Sequence, residues 1–383
     1  MLRQVVQLAR THASGVRGRR FKSALAESNR KNMKKKILAT FFTFLSYFIY
    51  SQSLKFKGAD ISYLNELEDS GAEFFQNGQK KELFEILKDS GVNWIRLRLW
   101  HTPKNDYCST KNTILMAKRA KSYGFKILLD FHYSDSWADP EQQKIPKAWE
   151  NMNFEQLESA VYDYTQSVLQ EFIQADCSPD MVQIGNEIIN GMLWPFGSTL
   201  GGNCSNLMKL IQSGCEATRK VCPNAKIMLH LICGNNETLR WWFSQAKRYS
   251  VDYDVIGLSY YAYWHGASLK VPENAIKMLK KNFSKPVCIV ETHYPWTLNW
   301  QDDRANNVGE GASLIKDFSP TPQGQKEYLR ALCSVVQKSG GSGIFWWEPD
   351  MICTNSFKSD GENLGWFDFN HNYNGTANVF KEF

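Results

Sequence analysis

The sequence predicts a single α/β domain, a closed (β/α)8 TIM barrel, on three observations. From Phe56 to the C-terminus, eight short apolar runs alternate with amphipathic stretches, with no internal repeat and no linker. No Gly-rich phosphate turn follows the first run, as a doubly wound dinucleotide fold would require. Nearly every run ends on a polar or aromatic residue, and the C-terminal strand ends are where such a barrel gathers its chemistry.

The eight strands are read at 56–62, 94–100, 126–133, 181–187, 226–231, 255–261, 286–291 and 342–348. Each is a short apolar run of the kind that a parallel sheet buries on both faces. Helices fill the intervals. In 80–90 the apolar residues Leu83, Ile86 and Leu87 share one face, and in 113–123 so do Ile114, Ala117 and Ala120. The longest, 154–174, carries Leu157, Val161, Tyr164, Val168 and Phe172. Four more follow at 207–220, 237–249, 274–281 and 325–338. Gly91, Gly124 and Gly340 are placed to close helices in the left-handed conformation.

The net charge of +6 belongs to the N-terminus. Residues 1–53 hold 11 Lys/Arg and one acid, Glu27; the remaining 34 basic and 38 acidic residues give the body a net charge of −4. A mildly acidic body argues against a nucleic-acid partner. Residues 33–53 read as a secretory signal. Lys34, Lys35 and Lys36 precede an apolar run of 14 residues, Ile37 to Tyr50, and small residues follow at Ser51 and Ser53. The run is short for a membrane span, so no stable anchor is expected. Residues 1–32 are basic and weakly apolar. They are read as an extension upstream of a natural start at Met33, the alternative being a disordered or transit segment. The catalytic barrel is assigned to 54–383. The nine cysteines include no Cys-x-x-Cys pair, which excludes the usual zinc spacing. Cys233 and Cys288 are expected to be buried in strands.

The strand ends, in order, present Asp60; Arg96, Arg98 and Trp100; Asp130, His132 and Asp135; Asn186 and Glu187; His230; Tyr260, Tyr261 and Trp264; Glu291; and Trp346, Trp347 and Glu348. Glu187 and Glu291 stand out. A carboxylate at a barrel mouth has no packing role and is costly to bury unpaired, and two of them flanked by aromatics suggest the acid and nucleophile of a glycosidase. A load of 13 tryptophans suits a surface that stacks flat rings, although most are expected in the core. Each of the other residues has a structural alternative. Arg96 is read as an interior ion-pair partner of Asp130, and Arg98 as a functional group. His132 fits a wall residue and a substrate contact equally. His230 reads better as wall than as catalyst. Trp346, alternating with Trp347, is expected beneath the helices. Glu348, next to a proline, is read as a substrate or loop contact.

These ends resemble glycoside hydrolase clan A, in which the acid/base follows an Asn on the fourth strand and the nucleophile ends the seventh. The segments Lys57-Gly58-Ala59-Asp60, Arg96-Leu97-Arg98-Leu99-Trp100, Asp130-Phe131-His132-Tyr133-Ser134-Asp135, Trp137-Ala138-Asp139-Pro140, Gly185-Asn186-Glu187, Glu291-Thr292-His293-Tyr294-Pro295-Trp296 and Trp347-Glu348-Pro349 narrow the resemblance to family 53, the arabinogalactan endo-β-1,4-galactanases. The resemblance implies a retaining reaction with Glu291 as nucleophile and Glu187 as acid/base. It also implies that Arg98 holds Glu291 ionised, Tyr260 bonds the nucleophile, Asn186 bonds the sugar 2-hydroxyl and Trp347 forms the stacking floor. His132, Asp135, His230 and Trp296 complete the expected substrate contacts. Bacterial relatives often hold calcium in the loop after the seventh strand. Here Asp302, Asp303, Asn306 and Asn307 offer oxygens, but the expected His is missing and Arg304 brings a repelling charge, so no cofactor is expected to be required. The expectation is a secreted monomer, periplasmic or extracellular, acting on a polysaccharide. A mannanase or glucanase of the same clan is the first alternative. A non-catalytic glycan-binding barrel is the second, disfavoured because both carboxylates are present.

Overall fold

The computed structural model describes residues 53–383; the extension at 1–32 and, but for Ser53, the signal at 33–53 lie outside it. Eight parallel strands close into a barrel in the order of the chain. They are β1 (Phe56–Asp60), β2 (Trp94–Leu99), β3 (Lys126–Phe131), β4 (Met181–Ile184), β5 (Lys226–Ile232), β6 (Val255–Ser259), β7 (Val287–Glu291) and β8 (Gly343–Trp347). β1 pairs with both β8 and β2, which removes every edge. The helices α1 (Leu83–Asp89), α2 (Thr110–Ser122), α3 (Phe154–Gln174), α4 (Ser205–Val221), α5 (Asn236–Arg248), α6 (Lys270–Phe283) and α7 (Pro322–Lys338) follow β1 to β7 in turn. After β8 a long loop leads into a 3₁₀ segment, Thr376–Glu382, which packs on α7. No helix among the described residues is long and apolar enough to cross a membrane.

Local sequence explains the helix boundaries. Asn153 and Gln156 form a reciprocal capping box at the start of α3. The Ser109 side chain caps α2, and Thr321 with Pro322 at the first helical position opens α7. Gly91, Gly124 and Gly340 take φ of 89°, 79° and 77° just past α1, α2 and α7, as the sequence predicts. All nine cysteines are buried and free.

The barrel interior is stratified. Period-two alternation points Phe56, Trp94, Leu128, Met181, Met228, Val255, Cys288 and Phe345 inward, and they fill the N-terminal end with apolar atoms. Gly58 belongs to this layer because a Cβ there would lie 2.0 Å from the Phe345 ring. One step further along the strands the inward residues turn polar: Asp60, Arg96, Asp130, Gln183, His230, Ser259 and Glu291, all buried. The outward residues, including Trp346, join the helices in the outer core. The β6–β7 register slips by one residue, pairing Leu258 with Ile289 but Ser259 with Glu291. This bulge lets Val290 and Glu291 both serve the interior.

Candidate active site

Arg96 organises the polar layer, and all five of its N–H donors are used. Nη1 reaches Asp60 Oδ2 and Glu291 Oε1, each at 2.7 Å. Nη2 reaches Asp130 Oδ2 at 2.8 Å and Asn186 Oδ1 at 2.9 Å, and Nε reaches Gln183 Oε1 at 3.2 Å. Burial opposes the guanidinium charge, but the three carboxylates hold its pKa above the usual arginine value. Removing it would leave buried carboxylates unpaired, which is the costly way to break such a network.

Glu187 and Glu291 face each other above this hub. β4 ends at Ile184, and the chain turns through Gly185 into Asn186 and Glu187. Glu187 itself has φ 48°, a left-handed conformation that is uncommon for a non-glycine residue. One oxygen of each carboxylate and one nitrogen of His230 lie within 4.8 Å of one another. Glu291 Oε2 accepts from Tyr261 Oη at 2.9 Å and Ser259 Oγ at 3.1 Å. The His230 ring spans the floor, with Nε2 2.9 Å from Ser259 Oγ and Nδ1 2.9 Å from Asn186 Oδ1. Burial holds His230 well below its ordinary value, so the ring is neutral.

The two carboxylates have unequal surroundings. Burial raises the Glu187 pKa well above the usual value, and the neighbouring Glu291 charge raises it further. Burial also raises Glu291, but Arg96 and the Tyr261 hydroxyl pull it back. The pair is therefore polarised, one carboxyl favouring its proton and the other favouring charge.

Aromatic rings frame the opening. Trp347 faces the mouth and Trp346 the outer core, where its Nε1 donates to Leu364 O at 3.1 Å. Trp347 lies 6.0 Å from Trp137 and 5.5 Å from His293 between ring centroids.

The structure relocates several predicted residues. Arg98 does not reach Glu291; Arg96 does. Arg98 Nη1 bonds Glu348 Oε1 at 2.9 Å, and its guanidinium lies 4.0 Å from the Trp137 ring centre, 4.8 Å from Tyr63 and 4.9 Å from Trp100. Among the described residues its Nε and Nη2 have no N or O hydrogen-bond partner, and those rings pack around them. Tyr260 does not touch Glu291 either. It points into the outer core and donates to Gly266 O at 3.0 Å, while Tyr261 takes the expected place. His132 is a wall residue, with Nε2 3.0 Å from Asp130 Oδ2 and Nδ1 accepting from Ala138 N at 3.2 Å. Asp135 accepts the backbone N–H groups of Thr102 and Lys147, which ties two loops together. Trp296 donates to Glu362 O and packs on Phe369, within the loops after β7 and β8. The sequence places Tyr261 among the strand ends, but its bond to Glu291, the part played by Ser259 and the contact of Arg96 with Glu291 are not among the readings it yields. Counting inward positions 255, 257, 259 and 261 along β6 was the available signal for Tyr261.

The calcium candidates do not converge. Asp302 spends Oδ1 on Arg304 N and Oδ2 on Ser359 N, and Asp303 pairs with Lys358. Asn307 donates its N–H to Asp360 O, whose side chain pairs with Arg304. The ligand-type groups closest to Asp302 are Cys353 and Glu362. A thiol beside an Asp302 whose two oxygens already accept protein N–H groups, with Arg304 and Lys358 paired to the neighbouring acids, does not fit a cation that takes six to eight oxygens.

A barrel with one carboxylate just past the fourth strand and another ending the seventh, set over a buried Arg and walled by aromatics, defines a glycoside hydrolase scaffold. The model of Glycosyl hydrolase family 53 matches residues 56–380, and the chain belongs to that family. Among its relatives, the arabinogalactan endo-beta-1,4-galactanase of Cellvibrio japonicus is 40% identical over 347 residues, covering 87% of this chain and 92% of that one. The GH53 catalytic domain of Ignisphaera aggregans superposes with a TM-score of 0.82 at 34% identity, over 85% and 95% of the two chains. A fungal beta-1,4-galactanase superposes at 0.78 with 29% identity, over 86% and 100%.

Proposed function

We propose that this enzyme is an endo-acting β-1,4-galactanase that cleaves the β-1,4-galactan of type I arabinogalactan with retention of configuration. The observation that carries the reading is the polarised pair, Glu187 and Glu291, with oxygens within 4.8 Å. That spacing fits double displacement, for which the carboxyl groups stand about 5–5.5 Å apart, and leaves no room for the water of an inverting enzyme. Glu187 donates its proton to the glycosidic oxygen while a Glu291 oxygen attacks the anomeric carbon. The C1–O bond breaks and a glycosyl ester forms. Glu187, now ionised, takes a proton from water, whose oxygen attacks C1 and releases Glu291. Arg96 and Tyr261 hold the Glu291 charge before attack and receive it again on release. Asn186 donates one Nδ2 proton to Ala138 O, and its other is the group offered to the sugar 2-hydroxyl. Trp347 is the floor under the sugar at the cleavage point.

Names of relatives support the substrate, and a reducing-sugar assay on galactan, mannan, xylan and cellulose in parallel tests it. Galactan alone should release sugar; preference for another polymer would reassign the enzyme within its clan. Export is part of the proposal, resting on the triple lysine and apolar run before Ser51.

A further inference from the structure

Trp264 is 62% exposed, yet its position is closely fixed. It sits on a single helical turn, Ala262–His265, directly after β6. Trp264 N and His265 N both donate to Tyr261 O, Tyr261 N donates to His265 Nδ1, and Tyr260 Oη holds Gly266 O. Isolated exposed apolar residues are common and need no explanation. Leu200 and Trp300 are exposed too. Trp264 differs because it ends a continuous ribbon of rings. From Trp347 the ribbon runs to His293 at 5.5 Å, to Tyr263 at 5.7 Å and to Trp264 at 4.6 Å. Trp264 also packs edge-on at 5.3 Å against Tyr261, which bonds the nucleophile.

Topology says which end of a polymer lies there. Glu187 after β4 and Glu291 on β7 divide the closed rim into two arcs. The arc of β8, β1, β2 and β3 carries Trp347, the floor for the sugar that becomes covalently bound, together with Trp100 and Trp137. The arc of β5 and β6 carries Tyr263 and Trp264. β5 pairs with β4, whose end leads into Glu187, and Trp347 takes the covalently bound sugar on the opposite arc, so this arc is the one left for the leaving group. From this geometry we infer that Trp264 is a stacking platform for a pyranose ring on the leaving-group side of the cleaved bond. The inference rests on the glycosidase reading above.

The test uses two substrates with the same glycosyl part. Galactan has a sugar leaving group; β-galactobiosyl fluoride loses fluoride, which takes the C1–F electron pair, occupies no sugar subsite and needs little help from Glu187. Trp264→Ala should lower kcat/KM on galactan roughly tenfold, the scale of one aromatic contact, and leave the fluoride rate unchanged. It should also reduce transfer of the glycosyl group to added galacto-oligosaccharide relative to water. Trp264→Phe should retain most of the galactan rate. Since the side chain is mostly solvated, melting temperatures should match the wild type. An unchanged galactan rate in Trp264→Ala, or equal losses on both substrates, overturns the assignment. A wild-type enzyme inert on both substrates instead sinks the functional reading and this inference with it.

Discussion

At the scale of single residues, the site separates charge by context. Glu187→Gln and Glu291→Gln keep side-chain volume, so both should fold. Glu187→Gln should lower galactan turnover on the order of 10²- to 10⁴-fold, the usual worth of general acid catalysis, yet still form the glycosyl-enzyme from an activated aryl galactoside. Glu291→Gln should form none, as mass spectrometry of the trapped protein would show. Tyr261→Phe removes one donor from Glu291. That donor favours the charged carboxylate, so its loss raises the Glu291 pKa. The acidic limb of the kcat/KM profile should therefore move to higher pH, with a drop of about ten- to a hundredfold at the optimum. Tyr260→Phe should leave the acidic limb in place. Both arginines of β2 were legible as inward residues, because Arg96 and Arg98 share a parity. Which one meets Glu291 depends on barrel stagger and on the aromatic enclosure of Arg98, and neither is written in β2 itself.

At the scale of elements, one strand carries a clean comparison. Trp346 is fully buried among the helices, so Trp346→Ala should cost about 3–5 kcal/mol of stability. Trp347→Ala should melt near the wild type and lose most galactan hydrolysis. Thermal melts paired with galactan kinetics decide this, and an early-melting, fully active Trp347→Ala would remove Trp347 as the floor. All eight strands were legible from apolar runs, since a buried parallel strand needs nothing else. Their ends were less so. The apolar run continues to Glu187, whereas β4 stops at Ile184 and Glu187 sits in a left-handed turn. Tyr260 and Tyr261 differ by one step of alternation, and only that step decides which of them enters the barrel. The loop after β7 misled for a different reason. Its acids looked like ligands in isolation, but Ser359, Lys358 and Asp360, over fifty residues further on, determine their partners.

Across the whole molecule, those same contacts make a prediction about metal. Chelator treatment followed by thermal melting should leave both the transition and galactanase activity unchanged, because Arg304 with Asp360 and Asp302 with Ser359 hold the loop by protein groups alone. A fall in melting temperature reversed by added calcium would refute this. The export proposal predicts a mature N-terminus near residues 52–55, and N-terminal sequencing of protein from the native host would test it.

The nine buried cysteines have a consequence for how the folded barrel can be observed. They lie in the mouth loops (Cys108, Cys353), the barrel interior (Cys288), the helical layer (Cys215, Cys333) and the segments joining them. Burial raises the thiol pKa in each of these places, so almost no thiolate is present at neutral pH. A small alkylating reagent should find nothing to react with until a region opens. Each site then becomes a clock for its own neighbourhood, and a timed alkylation series read by mass would rank loops, helices and interior by their opening free energies without any label being introduced.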